Sequence, residues 1–165
     1  MRSLAYAEKG RQVLPNFTCA CSTASHERFQ PRLLPPQAAC DYDYFRERLD
    51  DPLQADSGVA VALFGRPLLA VPVGGKRRGG YASYESLTDA LQARDLHATV
   101  PVGFPDLRVR WSPDADTCHP VRWGDPAPRY WEGGDDAEGR HHGYSDDAIA
   151  AFLRGCSRPR RSAAD

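Results

Sequence analysis

The residues with chemical reach fall in three places. The stretch RVRWSPDADTCHPVRWG, residues 108–124, sets Cys118 and His119 just after Asp116. A thiol, an imidazole and a carboxylate are the parts from which a small nucleophilic hydrolase or transferase is built. The stretch GGKRRGG holds Lys76, Arg77 and Arg78 between paired glycines, a loop whose backbone can approach an anion while three cations hold it. The third set is Cys118, His141, His142 and Cys156, donor types that zinc accepts.

Each set also has a plainer reading. Val-Arg-Trp occurs twice between residues 108 and 124, and the strict alternation of Leu107, Val109 and Trp111 with Arg108 and Arg110 is that of a strand. A turn at 113–116 places Val109 opposite Val121 and Leu107 opposite Trp123, a cross-strand pairing of β-branched and aromatic residues. Trp111 and Trp123 then share the inward face, and Arg108, Arg110 and Arg122 the outward one. On such a strand Cys118 and His119 point to opposite sides and cannot act as a hydrogen-bonded nucleophile and base. GGKRRGG lacks the Gly-Lys-Ser/Thr that closes a phosphate-binding loop. There is no Cys-x-x-Cys pair, so neither a metal nor a cofactor is expected. Asp114-x-Asp116 starts like a calcium loop, but Cys118 and His119 stand where an oxygen ligand and a glycine should follow.

The elements that must position these residues read as follows. Asp41 to Leu49 is a helix, with Tyr42, Phe45 and Leu49 on one stripe, arginines towards its end and Pro52 beyond. Val59 to Phe64 and Leu68 to Val73 are β-branched-rich runs around Gly65-Arg66-Pro67, a second hairpin. The first run is apolar on both faces, hence a covered central strand; Pro72 confines the second to an edge. Ser83 to Arg94 is helical, with Ser86 and Asp89 as a capping box and Tyr84, Leu87 and Leu91 as the buried stripe. Two hairpins and two helices predict an α+β domain: a four-stranded antiparallel sheet, helices on one face, strand order 2-1-3-4 through a right-handed crossover. A short helix over 145–154 follows a Gly- and Asp-rich linker.

Composition bounds the folded unit. Residues 1–39 carry five basic and two acidic groups, net +3, with few aliphatics, and are expected to be a disordered tail. Residues 40–128 carry ten basic and thirteen acidic groups, net −3, and most of the aliphatic runs; this is the expected domain. Residues 129–165, net −1, hold the linker, the short helix and a basic tail. A net negative domain argues against non-specific DNA binding, which depends on summed positive charge. No apolar run is long enough to span a bilayer, and five cysteines make an odd number for a disulfide framework. A cytoplasmic protein is expected. Nineteen arginines against two lysines, with one Ile and one Asn, read as the codon bias of a GC-rich genome.

The segment from about 41 to 124 resembles a family of short actinobacterial proteins built around a domain of unknown function. The residues that carry the resemblance are LLAVPVGGKRRGGY and FPDLRVRWSPDADTCHPVRWG. It implies no activity, cofactor or site. The functional expectation therefore rests on the residues alone. It is a small binding or accessory module, not an enzyme, engaging an acidic protein or nucleic acid through Arg108, Arg110 and Arg122 on the sheet and Lys76, Arg77 and Arg78 in the basic loop. The alternative is a hydrolase or transferase using Cys118 or His119 with Asp116.

Overall fold

A computed structural model describes residues 30–63, 66–111 and 117–156. Among these residues, two three-stranded antiparallel sheets and five α-helices make an α+β fold. The first sheet has the order β1-β2-β3, from Arg32–Leu34, Val59–Ala62 and Leu68–Ala70; the second has the order β4-β6-β5, from Gly79–Tyr84, His119–Gly124 and Arg108–Val109. The helices are α1 Tyr42–Arg48, α2 Leu53–Asp56, α3 Leu87–Ala98, α4 Gly134–His141 and α5 Asp146–Cys156.

The single four-stranded sheet is thus corrected: the two hairpins lie in different sheets, each completed by a strand the sequence hid. β1 comes from the segment expected to be disordered and pairs with β2, Leu33 opposite Val61. That moves the start of the folded unit from 40 into the low thirties. β4 comes from Gly79-Gly80-Tyr81-Ala82-Ser83-Tyr84, which lacks β-branched residues. Its glycines are there for close approach. A Cβ on Gly80 would lie 2.6 Å from Cζ2 of Trp123 and would also meet the Arg77 guanidinium, and one on Gly79 would lie 2.7 Å from Nε2 of His141.

Two apolar clusters hold the layers together. β2 is central and covered, as expected. Val61 and Ala70 face the main cluster with Val121, Trp123, Phe104 and the α3 residues Ala90 and Ala93. From the other face of the same sheet, Ala60 and Leu69 pack with Val71 and Leu49, flanked by Tyr42 and Phe45 of α1. Ser86 caps α3, its Oγ accepting from the Asp89 amide at 3.0 Å. The stripe expected on that helix is displaced, however. Leu91 is exposed, and the helix buries Ala90, Ala93 and His97 instead. Two alanines let the helix lie close on the sheet, and His97 fills the remaining gap, stacked on Phe104 at 5.1 Å and edge-on to Trp123 at 5.2 Å.

The repeat pairs as expected through Val109↔Val121, with Arg108 opposite Arg122. Trp111 does not join Trp123 in the core. β5 ends at Val109, and Trp111 is 61% exposed where Trp123 is 1%. The Gly- and Asp-rich linker is also corrected. Gly134–His141 forms α4, docked on α5 by the contact of Gly139 with Ile149. The helix expected over 145–154 is α5, with Ser145 Oγ accepting from the Ala148 amide at 3.2 Å. Residues 1–29 of the expected tail, residues 157–165, the turn at 113–116 and the tip of the first hairpin lie outside the described residues. No helix among the described residues is long and apolar enough to cross a membrane.

Candidate functional site

The second sheet has one face under α3 and one turned away from it. Alternation along β4 and β6 sends Ala82, Tyr84, Val121 and Trp123 inward, all buried, so Tyr81 and Arg122 point outward. The register then lines up Tyr81, Arg122 and Arg108 across β4, β6 and β5. Arg110 continues the line of β5, its amide donating to the Pro120 carbonyl at 3.0 Å, and is exposed. The expected outward arginines are therefore together on one face.

Arg108 and Arg122 oppose each other directly, a like-charge pairing that costs stability unless a counter-charge joins it. Among the described residues, neither they nor Arg110 forms an ion pair with a carboxylate of the chain. Nη2 of Arg108 donates to the Gly124 carbonyl, which fixes its fork. Nε of Arg122 is buried with no hydrogen-bond acceptor.

At the Tyr81 end of this row stands a polar corner from α4 that the sequence reading did not single out for the sheet. The His142 ring lies 5.5 Å from the Tyr81 ring. Its Nδ1 is 3.1 Å from the Gly79 carbonyl; a carbonyl only accepts, so Nδ1 is the donor. Nε2 faces Oε1 of Glu138, one helical turn earlier, at 3.7 Å. That imidazole, helped by Arg122 and His141, holds the Glu138 carboxyl below its usual range despite partial burial. Burial raises the Tyr81 phenol and the Glu138 charge adds to it, while Arg122 opposes the rise. Desolvation lowers His141.

The basic loop does not act as one unit. Lys76 pairs with Asp50 at 2.9 Å and Arg78 with Asp125 at 4.0 Å, both at the surface. Arg77 turns inward and is 4% exposed, so its assignment to a partner surface is corrected. Its Nε donates to the Val71 carbonyl at 3.2 Å and its Nη1 to the His142 carbonyl at 2.6 Å. Burial lowers this guanidinium to about 10, against a small opposing effect of Tyr144. Glycines packed against it permit the inward turn: a Cβ on Gly143 would lie 2.8 Å from the Arg77 Cβ, and one on Gly80 would meet its guanidinium. A charge flanked by glycines looks the same in sequence whether it faces solvent or the core.

Cys118 is exposed while His119 is buried on the inward face of β6, so this pair is split as expected. Asp116, the third residue of the hydrolytic alternative, lies outside the described residues, as does the side chain of Cys156. His141 and His142 are both buried, with rings 5.1 Å apart. Among the described residues no three His, Cys, Asp or Glu side chains converge as a metal set.

Fold and site together define a small α+β domain with an arginine-lined outer sheet face. The chain belongs to DUF6302, a family of unknown function, whose model matches residues 33–165. The match starts near β1 and runs through α4 and α5, well beyond the segment that carried the resemblance in sequence. No curated protein and no solved structure matches the chain.

Proposed function

We propose that the protein is a cytoplasmic binding module that takes an acidic protein segment on the outer face of its second sheet. The observation that carries this reading is the opposition of Arg108 and Arg122 across β5 and β6 without an ion-paired carboxylate among the described residues, with Arg110 exposed beside them. Planar guanidinium forks suit carboxylates in pairs. The net charge of −3 over residues 40–128 favours a short acidic segment over a nucleic-acid backbone, whose affinity grows with summed positive charge. Cys118 as an exposed thiol suits a reducing compartment.

Fluorescence anisotropy of a labelled glutamate-rich peptide tests this. Arg108→Ala and Arg122→Ala should each weaken binding by about tenfold, the equivalent of one charge-assisted hydrogen bond, and added salt should narrow the difference. A labelled single-stranded oligonucleotide that binds more tightly than the peptide would replace the acidic protein with nucleic acid. If neither probe responds to the arginine variants, the face is not a binding surface.

A further inference from the structure

The outer face is not uniformly basic. Its cationic end is Arg108 with Arg122, and across one strand from Arg122 is Tyr81. Glu138, about half exposed, stands on the other side of the His142 ring from Tyr81, its Oε1 3.7 Å from the His142 Nε2. His142 cannot swing away freely, because its Nδ1 is bonded to the Gly79 carbonyl and its own carbonyl accepts from buried Arg77. A carboxylate thus stands beside an anchored imidazole at the end of the arginine row, where a purely acidic partner would meet repulsion.

We infer that the face selects a bipolar segment, with acidic side chains for Arg108 and Arg122 and, a few residues on, a lysine for Glu138 and the Tyr81 ring. This rests on the reading of the arginine face above and adds the feature that separates one acidic partner from another. Arg108 and Tyr81 are two strand spacings apart, roughly 10 Å, which an extended peptide crosses in about three residues. An ammonium at the Tyr81 end meets a carboxylate and an aromatic face, the two groups that bind it in partly desolvated sites. Tyr81 and Glu138 both border the His142 ring, which brings them within reach of one lysine. Mismatched charge at such a position discriminates as effectively as matched charge attracts.

Two labelled peptides decide it: one with a glutamate pair and a lysine three residues on, the other with glutamine in place of that lysine. The native protein should bind the lysine peptide about fivefold more tightly. Glu138→Gln should abolish the preference while leaving affinity for the glutamine peptide unchanged or improved. Glu138→Lys should favour an all-acidic peptide instead, and circular dichroism melts check that both variants remain folded. Equal binding of the two peptides, or a preference that survives Glu138→Gln, overturns the bipolar segment and leaves the arginine face standing. Failure of both peptides to bind, or binding indifferent to Arg108→Ala, overturns the arginine face and the bipolar segment with it.

Discussion

Arg77 offers the sharpest test of how the fold is tied together, because removing it changes three quantities of similar size. Arg77→Met loses two hydrogen bonds from a charged donor, each worth ~1.5–3 kcal/mol. The losses are unequal. The Val71 carbonyl keeps the indole N–H of Trp123 at 3.0 Å, whereas the His142 carbonyl loses the donor that Arg77 gave it. Against this, burial lowers the guanidinium from its ordinary value to about 10; at 1.36 kcal/mol per pKa unit, relief of that desolvation returns roughly 3 kcal/mol. Met also fills much of the volume. The net cost of Arg77→Met should therefore be only ~0–3 kcal/mol. Arg77→Ala also deletes the packed stem, at ~0.8 kcal/mol per methylene plus a cavity, and should cost about 2 kcal/mol more. Urea midpoints at constant m-value measure both. Alanine and methionine variants equal within error would refute the reasoning, since the stem would then carry no packing. A midpoint unmoved in both would mean the guanidinium does not join α4 to the sheets at all.

The remaining predictions concern the core and the site's neighbours. His97 is fully buried with both ring nitrogens unpartnered, and burial lowers it to about 4. The unfolded chain takes up a proton there below about pH 6.5 while the folded chain stays neutral, so stability falls as pH drops from ~6.5 towards 4, by up to ~3 kcal/mol. Denaturation midpoints against pH should flatten in His97→Phe relative to the native chain. Trp123→Ala should cost ~3–5 kcal/mol and Trp111→Ala under ~1 kcal/mol, read from thermal or urea unfolding; equal costs would put Trp111 back in the core. Gly80→Ala should destabilise by ~1–3 kcal/mol through overpacking against Trp123 and Arg77, and a neutral result would show that β4 lies further from the indole. Ser86→Ala should cost ~1 kcal/mol by loss of the α3 cap, visible as a lower urea midpoint.

What the sequence disclosed was local chemistry and periodicity. The Ser86–Asp89 cap, the β2–β3 hairpin and the Val109–Val121 register all follow from residues close in the chain. The outward grouping of Arg108 and Arg122 followed in turn from that register. What it concealed depends on distant partners. β1 is three residues beside prolines and exists because β2 offers it an edge. β4 reads as loop because its glycines answer to Trp123, Arg77 and His141, which approach from elsewhere in the chain. Trp111 keeps the alternation of Trp123 but has no strand left to hold it inward. Arg77 looks like its neighbours Lys76 and Arg78 until the carbonyls of Val71 and His142 are placed around it. Glu138 sits in a helix with two glycines that no apolar stripe announces, and His142 just beyond its end read only as a metal donor, so their place beside Tyr81 carried no signal in sequence.

The uneven burial of the tryptophans has an optical consequence. Trp111 and Trp131 are 61% and 73% exposed, while Trp123 is 1% exposed and held between Phe104 and His97. Two indoles therefore emit from water and one from an apolar, hydrogen-bonded cage. Iodide should quench the first two and spare the third, leaving a blue-shifted residual emission that belongs to Trp123 alone. With Trp111 and Trp131 replaced by phenylalanine, the chain becomes its own single-probe reporter. Protonation of the adjacent imidazole would darken that probe, so the light from one residue follows the ionisation of another in the same core.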